Sequence, residues 1–146
     1  MLVVIAAGGL VLVDNNKSLL EGFLHDLEHA ARLVDGRGAD RSDSELSVYH
    51  DALVQRFEAV LSSVHAVLEE ALRARGCPVR IGSNFNSVVR RAADEGLIGP
   101  SDRDDLENWV IDRHVTSHKY NPDAIDAVVL IVNDVIRCAW RVWTAL

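Results

Sequence analysis

The ten residues from Arg113 to Pro122, RHVTSHKYNP, bring together several side chains that could take part in a reaction. They include an arginine, two histidines, two hydroxyl residues, a lysine and a tyrosine, and they end at Asn-Pro. Histidine titrates near neutral pH and serves as an acid or a base. Arginine carries a permanent planar charge that matches phosphate oxygens. Three interpretations of this segment follow from its residue types.

A metal site is the first interpretation, because His114 and His118 are four residues apart and share one face of a helix. Zinc needs three or four ligands. Val115 follows His114, where the HExxH motif requires glutamate. His25 and His29 form a second pair with the same spacing, among residues typical of a surface. The sequence therefore predicts neither a metal nor a cofactor.

A helix end that caps its own backbone is the second interpretation. Arginine and histidine near the C-terminus of a helix interact favourably with its dipole and bond the last carbonyls. Tyr120 can pack its ring on Pro122. Such a cap needs one or two groups, so it explains each residue singly and the grouping poorly.

RNA cleavage is the third interpretation. Attack by the 2′-hydroxyl needs a base for its proton, an acid for the leaving oxygen and a fixed cation for the phosphorane. Arg113 and His118 lie about 140° apart on a continuous helix and do not converge easily. Either the helix end before Asn121-Pro122 turns the backbone, or a two-fold dimer brings two copies of the motif to one cleft.

The elements that must position this segment are helices. Apolar residues recur at intervals of three and four from Leu19 onwards, and no stretch after residue 16 alternates in the manner of a half-buried strand. Glycine, proline and capping residues predict helices at about 19–34, 45–75 and 84–95, a fourth that opens at Ser101, and a fifth that starts at Asn121-Pro122. This pattern predicts an all-α, five-helix antiparallel bundle.

The last helix is apolar over more than one narrow stripe, because Leu130, Ile131 and Val142 widen it. A second buried surface would explain this width, most simply the contact of a homodimer. The alternative is a central position of the helix inside the monomer.

Composition limits the classes of function that remain. The chain has 146 residues, enough for one domain with a sizeable core, and a formal net charge of -7. The negative sign disfavours generic nucleic-acid binding, which rewards lysine and arginine. Cys77 and Cys138 are far apart and form no CxxC pattern, so a reducing cytoplasm is the expected location.

The first 16 residues form an apolar N-terminal arm of unknown role, ahead of a helical domain over 17–146. Its apolar run of 13 residues is shorter than the ~20 that a membrane span needs, and it lacks the positive start of a signal peptide. We expect no membrane association. A strand-like or irregular arm, an unstructured start and a weak export signal are the alternatives.

The spacing of Arg113, His118 and Tyr120 resembles the Arg-x(4)-His-x-Tyr signature of HEPN domains, particularly HepT-like toxins. Three further segments resemble landmarks of the nucleotidyltransferase substrate-binding branch of that superfamily: Arg56-Phe57-Glu58, Gly96-Leu97-Ile98 and the run from Thr116 to Asn121. Together these features cover roughly residues 19 to 143.

The resemblance implies a homodimeric helical bundle, with a minimal nucleotidyltransferase as its antitoxin partner. It implies metal-independent cleavage of RNA with Arg113 and His118 as the catalytic residues. We expect supporting or RNA-binding roles for His114, Ser117 and Lys119, and Tyr120 is the position that accepts AMP from the partner. The alternative is a non-catalytic substrate-binding subunit of the nucleotidyltransferase.

Overall fold

The helices follow the order that the apolar spacing predicts. A computed structural model of the protein describes residues 4–6, 9–11, 13–35, 43–77, 79–80, 83–118 and 122–146, with side chains at 15–34, 44–77, 79–80, 83–109 and 128–146. The helices are α1 (Val13–Asp35), α2 (Asp43–Ala74), α3 (Phe85–Asp94), α4 (Pro100–His118) and α5 (Pro122–Ala145). The prediction of an all-α domain with five helices is confirmed for the part of the chain described.

A short hairpin precedes the helices. Strand β1 (Val4–Ala6) pairs with strand β2 (Gly9–Val11) in an antiparallel sheet, with Val4 opposite Val11. The hairpin agrees with the strand-like alternative for the N-terminal arm. Helix α1 begins at Val13, inside the segment assigned to that arm. The division into an arm over 1–16 and a domain over 17–146 stays a prediction.

Helix α2 supplies much of the core, because its apolar residues recur at intervals of three and four along 32 residues. α1, α3 and α5 all contact it. The α2 side chains with no exposed surface are Leu53, Phe57, Val60, Leu61, Val64, Leu68 and Leu72. Burial of so many apolar side chains on one helix supplies a large part of the free energy of folding.

Side-chain contacts fix the direction in which the helices run. The Asn16 amide at the start of α1 donates a hydrogen bond to Glu70 near the end of α2, so these two helices are antiparallel. The Lys17 ammonium group lies 4.4 Å from the ring centroid of Trp143 near the end of α5. Helices α1 and α5 are therefore also antiparallel.

Helix α3 runs alongside the second half of α2 in the same direction. His65 and Phe85 make an edge-to-face contact with ring centroids 5.6 Å apart. Just after the end of each helix body, the Arg75 guanidinium donates to the Glu95 carbonyl at 3.1 Å. The connection between α2 and α3 is long enough for the chain to return along α2 before α3 begins. The shorter connections join helices that run antiparallel to each other.

Glycine ends both α2 and α3, as the sequence predicts. Gly76 and Gly96 have φ of 74°, a left-handed conformation that costs other residues free energy. After α2, the Cys77 N–H donates to the Leu72 carbonyl at 2.9 Å. This 6→1 bond is the Schellman motif, which satisfies carbonyls that the helix end leaves free.

The starts of α3 and α4 differ in how well the sequence predicts them. Asn84 caps α3, and its side-chain oxygen accepts a hydrogen bond from the Ser87 N–H at 2.8 Å, as expected for a start near this residue. The predicted opening of α4 at Ser101 was wrong by one residue. The Arg103 N–H donates to the Gly99 carbonyl, which places Pro100 in the first turn. Proline fits there because its φ is already helical and the position needs no N–H donor.

The wide apolar surface of α5 is partly explained within one chain. Val142 belongs to the core, with 1% of its surface exposed, and Ile131 packs against the core. Leu130 is 81% exposed. Of these three residues, Leu130 is therefore the one that is exposed enough to belong to a second apolar surface.

Candidate functional site

Helices α4 and α5 form a helical hairpin, and the candidate motif lies where they are joined. Three residues, 119–121, separate the end of α4 at His118 from the start of α5 at Pro122. We call residues 113–122 the closed end of the hairpin. The open end is the opposite one, where the first turn of α4 lies beside the last turns of α5.

One face of α4 connects the open end with the motif. Asp102, Leu106 and Trp109 follow each other at intervals of four and three, and the last two are 1% and 5% exposed. Arg113 follows Trp109 by four residues and takes the next register position on this face. The candidate phosphate-binding residue therefore extends the face that α4 buries in the bundle.

His118 occupies a different sector of α4. The helix is continuous from Pro100 to His118, so Arg113 and His118 lie about 140° apart around its axis. One of the two alternatives from the sequence is that the break before Pro122 turns His118 back towards Arg113. The helix includes His118, so the break comes after it and leaves the two residues on one helix. His114 and His118, four residues apart, share a sector.

The structure places the predicted site residues by backbone only. Four of them lie on α4, with side chains outside the part of the chain that is described: Arg113, His114, Ser117 and His118. Lys119 and Tyr120 lie outside the described residues. The catalytic, RNA-binding and AMP-accepting roles of these six residues stay predictions.

Two helices are held together at the open end by a charged pair. Arg141 on α5 donates from Nη2 to Asp102 Oδ1 at 2.6 Å and from Nε to both carboxylate oxygens at 3.3 Å. The Asp102 side chain is 14% exposed. The hydrogen bond with Asp102 raises the pKa of Arg141 above its ordinary value. Asp102 also lies in the first turn of α4, where a negative charge is favoured by the helix dipole.

Cys138 lies one turn before Arg141 and is fully buried. Burial, and after it the charge of Asp102, raises the pKa of the Cys138 thiol from 9.0 to about 12. The thiol therefore keeps its proton at neutral pH and is a poor nucleophile. Cys77 and Cys138 are both free and buried.

Aromatic side chains add a second contact at the open end. The Trp140 indole N–H donates to Glu28 Oε1 on α1 at 2.7 Å. The Trp140 ring also makes edge contacts with Trp143 and His25, with centroids 5.5 and 5.4 Å apart. Trp140 thus anchors α5 on α1 by packing and by a hydrogen bond to a charged acceptor.

A second charged pair holds α4 on its other side. Arg90 on α3 donates from Nε to Glu107 Oε1 at 2.6 Å, and the Glu107 side chain is 23% exposed. Neither Glu107 nor Asp102 is among the residues to which the sequence pattern assigns a role. The sequence does contain an indication that Asp102 has a partner. Asp102 shares a helix face with Leu106 and Trp109, and a carboxylate on a buried face needs a cationic or hydrogen-bonding partner.

Among the described residues, no three histidine, cysteine, aspartate or glutamate side chains form a group that could hold a metal ion. His25 lies 4.0 Å from Glu21 and contacts Trp140. Its surroundings are those of a surface histidine packed on an aromatic ring. The side chains of the motif, including those of His114 and His118, lie outside the described part of the chain.

Solved structures with the same arrangement of helices identify the fold. A HEPN toxin of Shewanella oneidensis, tri-AMPylated and in complex with its MNT antitoxin, superposes with a TM-score of 0.72 at 14% identity, over 91% of this chain and 94% of that one. The chain has the fold of a HEPN toxin. A toxin–antitoxin structure with AMP-PNP also matches this HEPN fold, with a TM-score of 0.72 at 12% identity over 91% and 95% of the two chains.

A protein from Thermus thermophilus is also similar to this HEPN-fold chain, with 26% identity and a TM-score of 0.68 over 84% of this chain and 94% of the other. No protein-family model and no curated protein matches the sequence. None of the described helices combines the length and the apolar character needed to cross a membrane.

Proposed function

We propose that this protein is a HepT-like toxin of a HEPN and minimal-nucleotidyltransferase pair, and that it is a metal-independent endoribonuclease of the cytoplasm. One observation carries the proposal. The Arg-x(4)-His-x-Tyr spacing of Arg113, His118 and Tyr120 falls at the junction of α4 and α5 in a chain with the HEPN toxin fold.

In the proposed reaction the 2′-hydroxyl of RNA attacks the adjacent phosphorus, and the bond to the 5′-oxygen breaks. One histidine takes the hydroxyl proton and another donates a proton to the leaving oxygen. Arg113 neutralises the phosphorane, and His114, Ser117 and Lys119 support or bind the RNA. The products carry a 2′,3′-cyclic phosphate and a 5′-hydroxyl.

The proposed active form is a homodimer. A single α4 carries one His118, about 140° from its Arg113, while the reaction needs both an acid and a base. A two-fold axis that brings two motifs together supplies two histidines and two arginines to one cleft. The exposed Leu130 on α5 offers an apolar residue to such a contact.

The proposed partner is a minimal nucleotidyltransferase that acts as antitoxin. Support comes from the Shewanella oneidensis relative, which is in complex with an MNT antitoxin and is AMPylated. In this chain Tyr120 is the proposed acceptor of AMP. Its position two residues after His118 would let a bulky charged adduct block the catalytic cleft.

A second candidate function is a non-catalytic substrate-binding subunit of the nucleotidyltransferase. The acidic composition favours it, since the net charge is -7. Six arginines with described side chains are each paired with a carboxylate, which reduces the cationic surface left for RNA: Arg73, Arg90, Arg91, Arg103, Arg137 and Arg141. In this case Arg113 and His118 would bind a nucleotide or stabilise the dimer.

Product analysis in EDTA tests the two candidates. Purified protein is incubated with RNA in excess chelator, and the fragment ends are identified by mass spectrometry. A ribonuclease yields 2′,3′-cyclic phosphate ends, and the yield falls when His118 is replaced by alanine. Replacement of the exposed His29 on α1 is the matched control. Intact RNA after incubation with the wild-type chain would reject the ribonuclease proposal in favour of the subunit.

Transfer of AMP is tested separately with the partner nucleotidyltransferase and labelled ATP. We expect label on the wild-type chain and none on Tyr120→Phe, which keeps the ring and loses the acceptor oxygen. Equal labelling of the two chains would show that another residue is the acceptor.

A further inference from the structure

Two carboxylates on α4 reach across to arginines on different helices. Asp102 accepts hydrogen bonds from Nε and Nη2 of Arg141 on α5, the shortest at 2.6 Å. Glu107 accepts a hydrogen bond from Nε of Arg90 on α3 at 2.6 Å. Their side chains are 14% and 23% exposed. These pairs hold α4 from two sides, and neither belongs to the candidate motif.

Such ion pairs fix the orientation of the helices more than they contribute to the free energy of folding. Removing a carboxylate from water costs about as much as the ion pair returns, so partly buried pairs add little net stability. The hydrogen bonds are directional, however, and a two-oxygen contact with arginine allows few relative orientations. A pair within one helix, such as Arg91–Glu95, cannot fix how that helix is rotated against its neighbours.

The register of α4 links each pair to one motif residue. Arg113 follows Asp102 by eleven residues, and His118 follows Glu107 by eleven. Eleven residues are three turns with about 20° left over, so each carboxylate shares a sector of α4 with one motif residue. Because the helix is continuous to His118, any rotation at Asp102 or Glu107 is carried to the motif.

We infer that Asp102 and Glu107, with their partners Arg141 and Arg90, are positioning residues that lock the rotation of α4 and thereby set the angular positions of Arg113 and His118. The inference rests on the proposed ribonuclease function. The Asp102 pair fixes the sector of Arg113 against α5. The Glu107 pair fixes the sector of His118 against α3.

Kinetics provide the first test. Asp102→Asn and Glu107→Gln keep the size of each side chain and remove the charge that selects one geometry. We expect kcat to fall ~10- to 100-fold with KM nearly unchanged, since small displacements of catalytic groups cost this much. Glu95→Gln, which breaks the Arg91 pair at the end of α3, is the control and should stay within about twofold of the wild type. An equal change in all three variants would overturn the inference.

Reversing the charges of the Glu107–Arg90 pair distinguishes a positioning role from the simple loss of a side chain. Glu107→Arg and Arg90→Glu should each lower kcat, and the double variant should recover most of it, because the pair is restored with its ends exchanged. Lack of any recovery, in a double variant that unfolds at the wild-type urea concentration, would count against a positioning role.

A distance measurement tests whether the ion pairs fix the rotation of α4, and it does not depend on RNA cleavage. Nitroxide labels are placed by Asn108→Cys on α4 and Asn133→Cys on α5, both exposed, while the native cysteines are buried. Labelled chains are diluted into unlabelled ones, and distances are read by double electron–electron resonance. A rotation of about 40° moves a side-chain tip by roughly 4 Å, from the helix radius.

We expect Asp102→Asn and Glu107→Gln to broaden or shift the distance distribution, while Glu95→Gln leaves it as in the wild type. Identical distributions in all four proteins would overturn the inference. If the wild-type chain cleaves no RNA and the distributions still differ, the proposed function fails and the rotational lock stands.

Discussion

The two ends of the α4–α5 hairpin differ in their polar residues, and we propose that they serve different purposes. At the open end, Asp102 and Arg141 pair with each other, and Trp140 bonds Glu28, so polar groups satisfy polar groups inside the chain. At the closed end, residues 113–122 include arginine, histidine, lysine and tyrosine and no carboxylate, while Asp112 and Asp123 directly flank them. Charges that are paired inside the protein organise the fold, and we propose that the cationic groups of the closed end serve an anionic ligand.

The two ends should therefore respond differently to substitution. Substitutions at the open end should change the free energy of unfolding or the rotation of α4. Substitutions at the closed end should change activity with little effect on folding.

The largest expected effects are at the closed end, on Arg113 and His118. Arg113→Ala should reduce RNA cleavage by ~10²- to 10³-fold, as the loss of one charge-stabilising donor does in other active sites. Arg113→Lys keeps the charge and loses the planar fork, so its loss should be smaller. Cleavage rates with a single-stranded RNA check both. If a loss of stability accounted for the whole loss of cleavage, Arg113 would be a structural residue like those of the open end.

Trp140 provides the corresponding test of the open end. Trp140→Ala removes the contacts with Trp143 and His25 and the bond to Glu28, so we expect a loss of about 2 kcal/mol in the free energy of unfolding. Trp140→Phe keeps a ring and loses the N–H donor, for a loss of about 1 kcal/mol. Urea denaturation measures both.

Cleavage per folded molecule should stay near the wild-type value in both Trp140 variants. If Trp140→Phe abolished cleavage in a fully folded protein, the separation between the two ends would be wrong.

At neutral pH the smallest expected effect comes from the titration of Cys138, because its thiol is protonated in both the folded and the unfolded state. Its pKa is raised from 9.0 to about 12 in the folded chain, so the folded state holds the proton more tightly than the unfolded state. Stability from this group is therefore present below pH 9 and is lost as the pH rises towards 12. The unfolding free energy of the wild type should fall more steeply across this window than that of Cys138→Ala. Parallel curves would show that the thiol does not titrate differently on folding.

Most of the fold could be predicted from the sequence because local signals and the apolar period agree. Gly76 and Gly96 end helices, Asn84 caps one, and the spacing from Leu53 to Leu72 gives a buried face. The start of α4 was missed by one residue, because Ser101 is a good capping residue and Pro100 an equally good first residue.

The residues of the candidate motif are visible in the sequence, whereas the ion pairs that hold α4 are not. Arg113, His118 and Tyr120 are close in sequence, so their spacing is visible. Asp102 and Arg141 are 39 positions apart, and Arg90 and Glu107 are 17 apart. Pairs of this kind depend on how helices are turned against each other, and apolar periodicity leaves that rotation open by tens of degrees.

The most direct test of the proposed function measures activity and stability on the same preparations. RNA cleavage in EDTA and urea denaturation are compared for the wild type, His118→Ala and the surface control His29→Ala. We predict a loss of ~10²- to 10⁴-fold in cleavage for His118→Ala, with an unfolding free energy within about 0.5 kcal/mol of the wild type. Unchanged cleavage together with a stability loss of about 1 kcal/mol would contradict the proposal and make His118 a helix cap.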